Sequence, residues 1–132
     1  MDRKGRPGRE TIGLVLLAAL LLTGLYTSLE MDRYHGKIAR QLEDSAWFAL
    51  SGDWEKARSA AAAAETSWES RREITSLLAD HTPMEEIDAL FSRIGIYSAA
   101  RSGTEFAACC GDLSRKMEAM GAANRLSWQN LF

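Results

Sequence analysis

Two kinds of hydrophobic patterning succeed one another along this chain. From Thr11 to Leu29 it reads TIGLVLLAALLLTGLYTSL, 19 residues without a charge between Glu10 and Glu30. Apolar side chains there occupy every face of a helix at once. At ~1.5 Å per residue such a helix is about 28 Å long, which matches the hydrocarbon thickness of a bilayer. After Glu30 the apolar residues recur every three or four positions with charges between them, the mark of amphipathic helices that bury one face. The boundaries this predicts are a basic tail at 1–10, a transmembrane helix at 11–29 and a helical domain at 30–132.

The first amphipathic stretch continues out of the apolar run to about Leu50. Met31, Tyr34, Ile38, Leu42, Ser45 and Ala49 share one face, and Trp47, Phe48 and Leu50 are expected to widen it. Ser51-Gly52-Asp53 reads as a turn, Gly52 relaxing the backbone and Asp53 capping the next helix. That second helix is predicted from about Asp53 to Ala79, with Trp54, Ala57, Ala61, Ala64 and Trp68 as its seam and Ile74, Leu77 and Leu78 closing it. Its alanines let a neighbouring backbone come near, and the tryptophans fill the wider gaps. Thr82, Pro83 and Glu85 form a capping box that starts a third helix, with Met84, Ile87, Leu90, Phe91, Ile94 and Tyr97 inward. Ser102-Gly103-Thr104-Glu105 opens a fourth, with Phe106, Cys109, Leu113, Met117 and Met120 on its face and Gly121 as its end.

The remaining tail is too apolar to be free, so Leu126, Trp128, Leu131 and Phe132 are expected to dock on the domain or on a partner. The two Ser-Gly breaks lie 51 residues apart and suggest two successive hairpins. The predicted fold is all-α: one N-terminal transmembrane helix, then a four-helix domain of two antiparallel αα-hairpins with a docked C-terminal tail.

Charge adds an orientation. Arg3, Lys4, Arg6 and Arg9 precede the apolar run, and Glu30, Asp32 and Arg33 give no comparable excess after it. Basic residues stay on the cytoplasmic side, so the N-terminus is expected in the cytoplasm and the domain outside the cell membrane. A cleaved signal peptide is the rival reading. Its apolar core is usually about 7–15 residues and ends in a small-x-small site, which Leu25-Tyr26-Thr27-Ser28-Leu29 lacks. Within the run Ala19, Thr23 and Thr27 are spaced to form a dimer stripe, with Gly24 and Ser28 beside it; a stripe facing lipid is the plainer alternative. Without the first ten residues the balance of 16 basic and 18 acidic side chains becomes about −4. Such a domain has no electrostatic reason to bind nucleic acid or anionic lipid headgroups.

The search for chemistry returns little. A bundle-type di-metal site wants Glu-x-x-His on two helices, and the positions three before His35 and His81 are Asp32 and Leu78. His81 reads as a turn residue. Glu85, Glu86 and Asp88 suit a helix N-terminus for dipole reasons alone. No nucleophile triad, phosphate loop or zinc spacing occurs, and no enzyme activity, cofactor or metal is expected. Adjacent Cys109 and Cys110 diverge by about 100° on a helix. Both read as small buried fillers, with an intermolecular disulfide through Cys110 as the alternative. Trp47, Trp54, Trp68 and Trp128 read as core, with a partner groove around Trp128 as the sharper option.

Gly52-Asp53-Trp54 with Ala57, then Trp68, His81, Ile87-Asp88, and finally Leu126-Ser127 with Asn130-Leu131 share one layout. It resembles that of the small bacterial membrane-anchored proteins grouped as domain of unknown function 4363. The resemblance covers nearly the whole chain; the alanine run and the cysteine pair depart from it. It implies a membrane-tethered helical protein and assigns no activity. The expected role is a non-enzymatic accessory or adaptor that binds another membrane or envelope protein, or itself. The alternative is a small-ligand sensor with a pocket between the hairpins.

Overall fold

The computed structural model describes residues 8–73 and 81–131, and at 81, 82, 124–129 and 131 the backbone alone. Among these residues there are four helices: α1 (Arg9–Leu50), α2 (Trp54–Ser70), α3 (His81–Ala100) and α4 (Gly103–Leu131). No strand occurs among them.

Helix α1 runs 42 residues without interruption, about 63 Å. Its first half is long and apolar enough to cross a membrane, by length and composition. Leu14, Leu20 and Leu22 are each about two-thirds exposed or more, so this half is not the core helix of a globular domain. The second half turns inward along the expected stripe: Met31, Tyr34, Ile38, Leu42, Ser45 and Ala49 are all buried. Trp47 and Leu50 do not widen that stripe. They stand 66% and 64% exposed, because their azimuth on α1 points away from α2 and α4, and only Phe48 of that trio is partly covered.

Helix α1 packs most extensively along α4, and also along α2, while α3 rests on α4. Ala49 lies beside Gly103, and Asp32 and His35 lie beside Gly121, so α1 and α4 are antiparallel. The four helices form an up-down-up-down bundle with both hairpin turns at one end. Ile38, Leu42, Trp68, Ile87, Phe106, Leu113 and Met117 fill its core, and Ala57 and Ala64 bring α2 close. Of the neighbouring pairs in the bundle, α2 and α3 touch least. Polar bridges join them instead: Arg58 donates to Ser98 near the turns, and Trp68 and Arg72 donate to Asp88 further along.

Both turns close the same way. After α1, Gly52 (φ 84°) donates to Ala49 and Asp53 donates to Phe48. After α3, Arg101 (φ 52°) donates to Ser98 and Ser102 donates to Tyr97. Each is a Schellman closure that satisfies the helix's last carbonyls. The residue equivalent to Gly52 is therefore Arg101, 49 positions on, and the pairing of Ser51-Gly52 with Ser102-Gly103 is off by two. A side chain in the left-handed region at Arg101 hides the correspondence. Asp53 caps α2 as expected, its carboxylate accepting from the Lys56 amide at 3.2 Å.

Three helix boundaries differ from the sequence reading. α2 ends at Ser70, well before Ala79. The Ser70 hydroxyl donates to the Ser67 carbonyl, and the Tyr34 hydroxyl lies 2.6 Å and 3.0 Å from the Ser67 and Trp68 carbonyls, so these acceptors are satisfied by side chains. Ile74, Leu77 and Leu78 lie outside the described residues. His81 and Thr82 are already helical, which makes Thr82 an interior residue of α3 and not its cap. Pro83 then falls in the first turn, where its missing N–H leaves no bond unmade. Gly121 does not end α4, which continues through Leu131. It is buried against α1, where a Cβ would meet Asp32 Oδ1 at 3.0 Å. This glycine serves close approach between helices, not termination.

Candidate functional site

Two surfaces of the bundle carry unusual chemistry. One is the end bearing the turns. Trp47 and Leu50 lie one turn apart on the outer side of α1, and Ile96, 65% exposed, sits in the penultimate turn of α3 at the same end. Phe48 anchors Trp47 edge-on with ring centroids 5.7 Å apart, and the Lys56 ammonium rests 5.6 Å from the Phe48 ring. An indole held in place by a half-buried neighbour and open to water is costly in isolation and favourable in a contact.

The other is a cleft of about 530 Å³ between α1 and α4, lined by Asp32, His35 and Gly36 on one side and by Arg115, Glu118 and Gly121 among others on the opposite one. His35 is 2% exposed. Its Nδ1 lies 2.7 Å from the Met31 carbonyl, which can only accept, so Nδ1 carries the proton. Among the described residues Nε2 is left as a buried acceptor with no partner. Burial pushes the His35 pKa below its ordinary 6.5, against the pull of the Met31 carbonyl and the Asp32 carboxylate; Arg71 adds to the lowering. The imidazole is neutral at pH 7 and offers a lone pair to a hydrogen-bond donor. Tyr34 stacks edge-on against it at 5.2 Å and is itself covered by the Arg71 guanidinium at 5.0 Å.

Residues singled out from sequence fall into three groups. Ala19, Thr23 and Thr27 are exposed along α1, with the Thr23 and Thr27 hydroxyls each donating to the carbonyl four residues back at 2.8 Å. Gly24 and Ser28 beside them are half-buried and buried, so the two small-residue stripes differ in environment. Leu126, Trp128 and Leu131 lie on the helical backbone of α4, their side chains and all of Phe132 falling outside the described residues. Cys109 and Cys110 are free and buried, and Cys110, with no exposure at all, lies against Ser45 with its thiol pushed up to about 12 by burial. A disulfide to another chain through Cys110 would require the core to open. Glu85, Glu86 and Asp88 do not form one group: Glu86 pairs with Lys116 at 2.9 Å, and Asp88 accepts from Trp68 and Arg72. Among the described residues no cluster of three or more His, Cys, Asp or Glu side chains is placed to hold a metal ion. Sequence reasoning misses the His35 cleft; its available signal is a histidine on the apolar face Met31-Tyr34-Ile38.

Fold and surfaces together define a four-helix bundle built directly onto a long apolar helix. The chain belongs to the family described as domain of unknown function 4363 (DUF4363), whose model matches residues 25–131. No curated protein and no solved structure matches it.

Proposed function

We propose that this protein is a membrane-anchored, non-enzymatic adaptor whose bundle binds another membrane or envelope protein through the end that bears the turns. The exposed Trp47–Leu50 pair carries this reading. With residues 11–29 in the bilayer, Leu50 stands 21 residues, roughly 32 Å, beyond the span, out of reach of lipid and available to a protein. Arg3, Lys4, Arg6 and Arg9 favour the cytoplasmic side for the first residues, which puts the bundle outside. Exposure of Leu14, Leu20 and Leu22 supports lipid contact for the apolar half.

The test is a crosslinked pull-down of tagged full-length protein from native membranes, run beside the W47S/L50S variant. The wild type recovers one partner in stoichiometric amount and the variant loses it with its thermal unfolding unchanged. Recovery of the protein alone, or equal recovery by the variant, refutes the proposal. A small-ligand sensor is the second reading, favoured by the unpartnered His35 Nε2 beside the cleft. It requires a cell-envelope extract to raise the melting temperature of the wild type and not of H35F.

A further inference from the structure

Helix α4 outruns the bundle. A Cβ at Gly121 would meet Asp32 Oδ1 and His35 Cβ at 3.0 and 3.7 Å, which fixes the level at which the two antiparallel helices cross. α4 remains helical for ten more residues, to Leu131, or about 15 Å. The same distance back along α1 from between Asp32 and His35 ends near Thr23. Residues 126–131 therefore lie level with the last turns of the uncharged run that ends at Leu29.

Two further observations agree. Gly24, Ser28, Met31 and His35 form one helical stripe of half-buried and buried positions, while Leu25, Tyr26, Thr27 and Leu29 are exposed, so the α1–α4 seam continues into the apolar run. The composition of α4 changes as it descends. In a chain with 18 acidic residues none comes after Glu118, and from there on the sole charged side chain is Arg125, level with Glu30 at the end of the run. Trp128 comes level with Tyr26, a residue pair of the type that gathers where hydrocarbon meets headgroup. A helical backbone has its hydrogen bonds made and can enter that layer, and an arginine at its rim can reach back to phosphate.

Resting on the membrane reading above, we infer that the segment Leu126–Leu131 of α4 docks into the interfacial layer of the phospholipid bilayer beside α1. The bundle then meets the membrane with two helices, one crossing and one dipping in.

Nitroxide labels report depth in the full chain reconstituted into vesicles of phosphatidylcholine and phosphatidylglycerol. The two native cysteines are buried, so cysteines introduced at Ala123, Ser127 and Asn130 are the reactive ones, with L20C and L50C as references. Collisions with oxygen over those with an aqueous nickel chelate should be high for L20C, low for L50C, and rise from A123C through S127C to N130C. S127C and N130C as open to nickel as L50C, with L20C in lipid, overturns this inference and leaves the anchor standing. An aqueous L20C overturns both. Brominated phospholipids give a label-free check: they should quench the tryptophan emission of the wild type and lose most of that quenching in W128F. Equal quenching in the two refutes the docking.

Discussion

Replacing Trp68 tests whether a hydrogen bond holds the loosest seam of the bundle. Trp68 is 1% exposed, and its indole N–H donates to Asp88 Oδ1 at 3.1 Å, where Arg72 reaches the other carboxylate oxygen at 2.5 Å. W68F keeps a ring in the core and removes the donor. A hydrogen bond to a charged partner contributes about 1.5–3 kcal/mol, but Asp88 is 32% accessible and its oxygen regains water, so a value at or just below the bottom of that range, roughly 1–1.5 kcal/mol, applies. The smaller ring adds about 1 kcal/mol of lost packing. W68F should therefore cost about 2–2.5 kcal/mol, and W68A about 3–5 kcal/mol. For a domain of this size 1 kcal/mol moves the melting point by roughly 4–8 °C, so W68F should melt at least 8–10 °C lower. The assay is far-UV circular dichroism of the full chain in detergent micelles, run as a cycle with D88A. A coupling energy of about 1 kcal/mol is expected between the two sites. A coupling indistinguishable from zero would mean that Trp68 acts through packing alone, and the bridge argument fails.

Arg101 holds a left-handed conformation that costs a non-glycine residue about 1–2 kcal/mol, so R101G should raise stability by about 1 kcal/mol in denaturant titration while R101A leaves it unchanged. At Gly121 the ~1 kcal/mol gained by alanine in a helix offsets a tight contact with the half-exposed Asp32 side chain. G121A should therefore be near neutral and G121L lose about 1–3 kcal/mol by overpacking; a glycine needed for termination would reverse that pattern. Because the folded pKa of His35 lies below 6.5, the unfolded chain takes up the proton first. The stability this contributes is whole above pH 6.5 and is lost as the pH falls from there toward the folded pKa. Denaturant midpoints from pH 8 to 5 should show a fall that H35F lacks.

The faces of the helices are legible because burial and a 3.6-residue period leave the same trace in sequence and structure: the regularly spaced Met31, Tyr34, Ile38, Leu42, Ser45 and Ala49 of α1 are all buried. The α2 seam is legible for the same reason, down to the alanines. Boundaries are harder, since one letter serves several physical ends. Gly121 reads as a stop, but a glycine that lets two backbones approach looks identical until the neighbouring helix is in place. Thr82 and Glu85 satisfy a capping pattern that the backbone does not use. The second turn is misaligned because arginine occupies a position where glycine is the usual signal. Surfaces are least legible. Trp47 is separated from Phe48 by about 100° of helix, and that angle alone decides between core and solvent. The His35 cleft depends on which nitrogen meets a carbonyl, a question no one-dimensional pattern poses.

That α1 is one helix from Arg9 to Leu50 has a mechanical consequence. No swivel separates the apolar half of α1 from the bundle, so the bundle inherits both the height and the azimuth of that half as a flag does from its pole. Removing a single residue near Leu29 lowers the flag by about 1.5 Å but swings it through ~100°. A partner that tolerates the small drop would still find the Trp47 face turned a quarter of the way around. Spacing along this rod is therefore a matter of phase before it is a matter of reach.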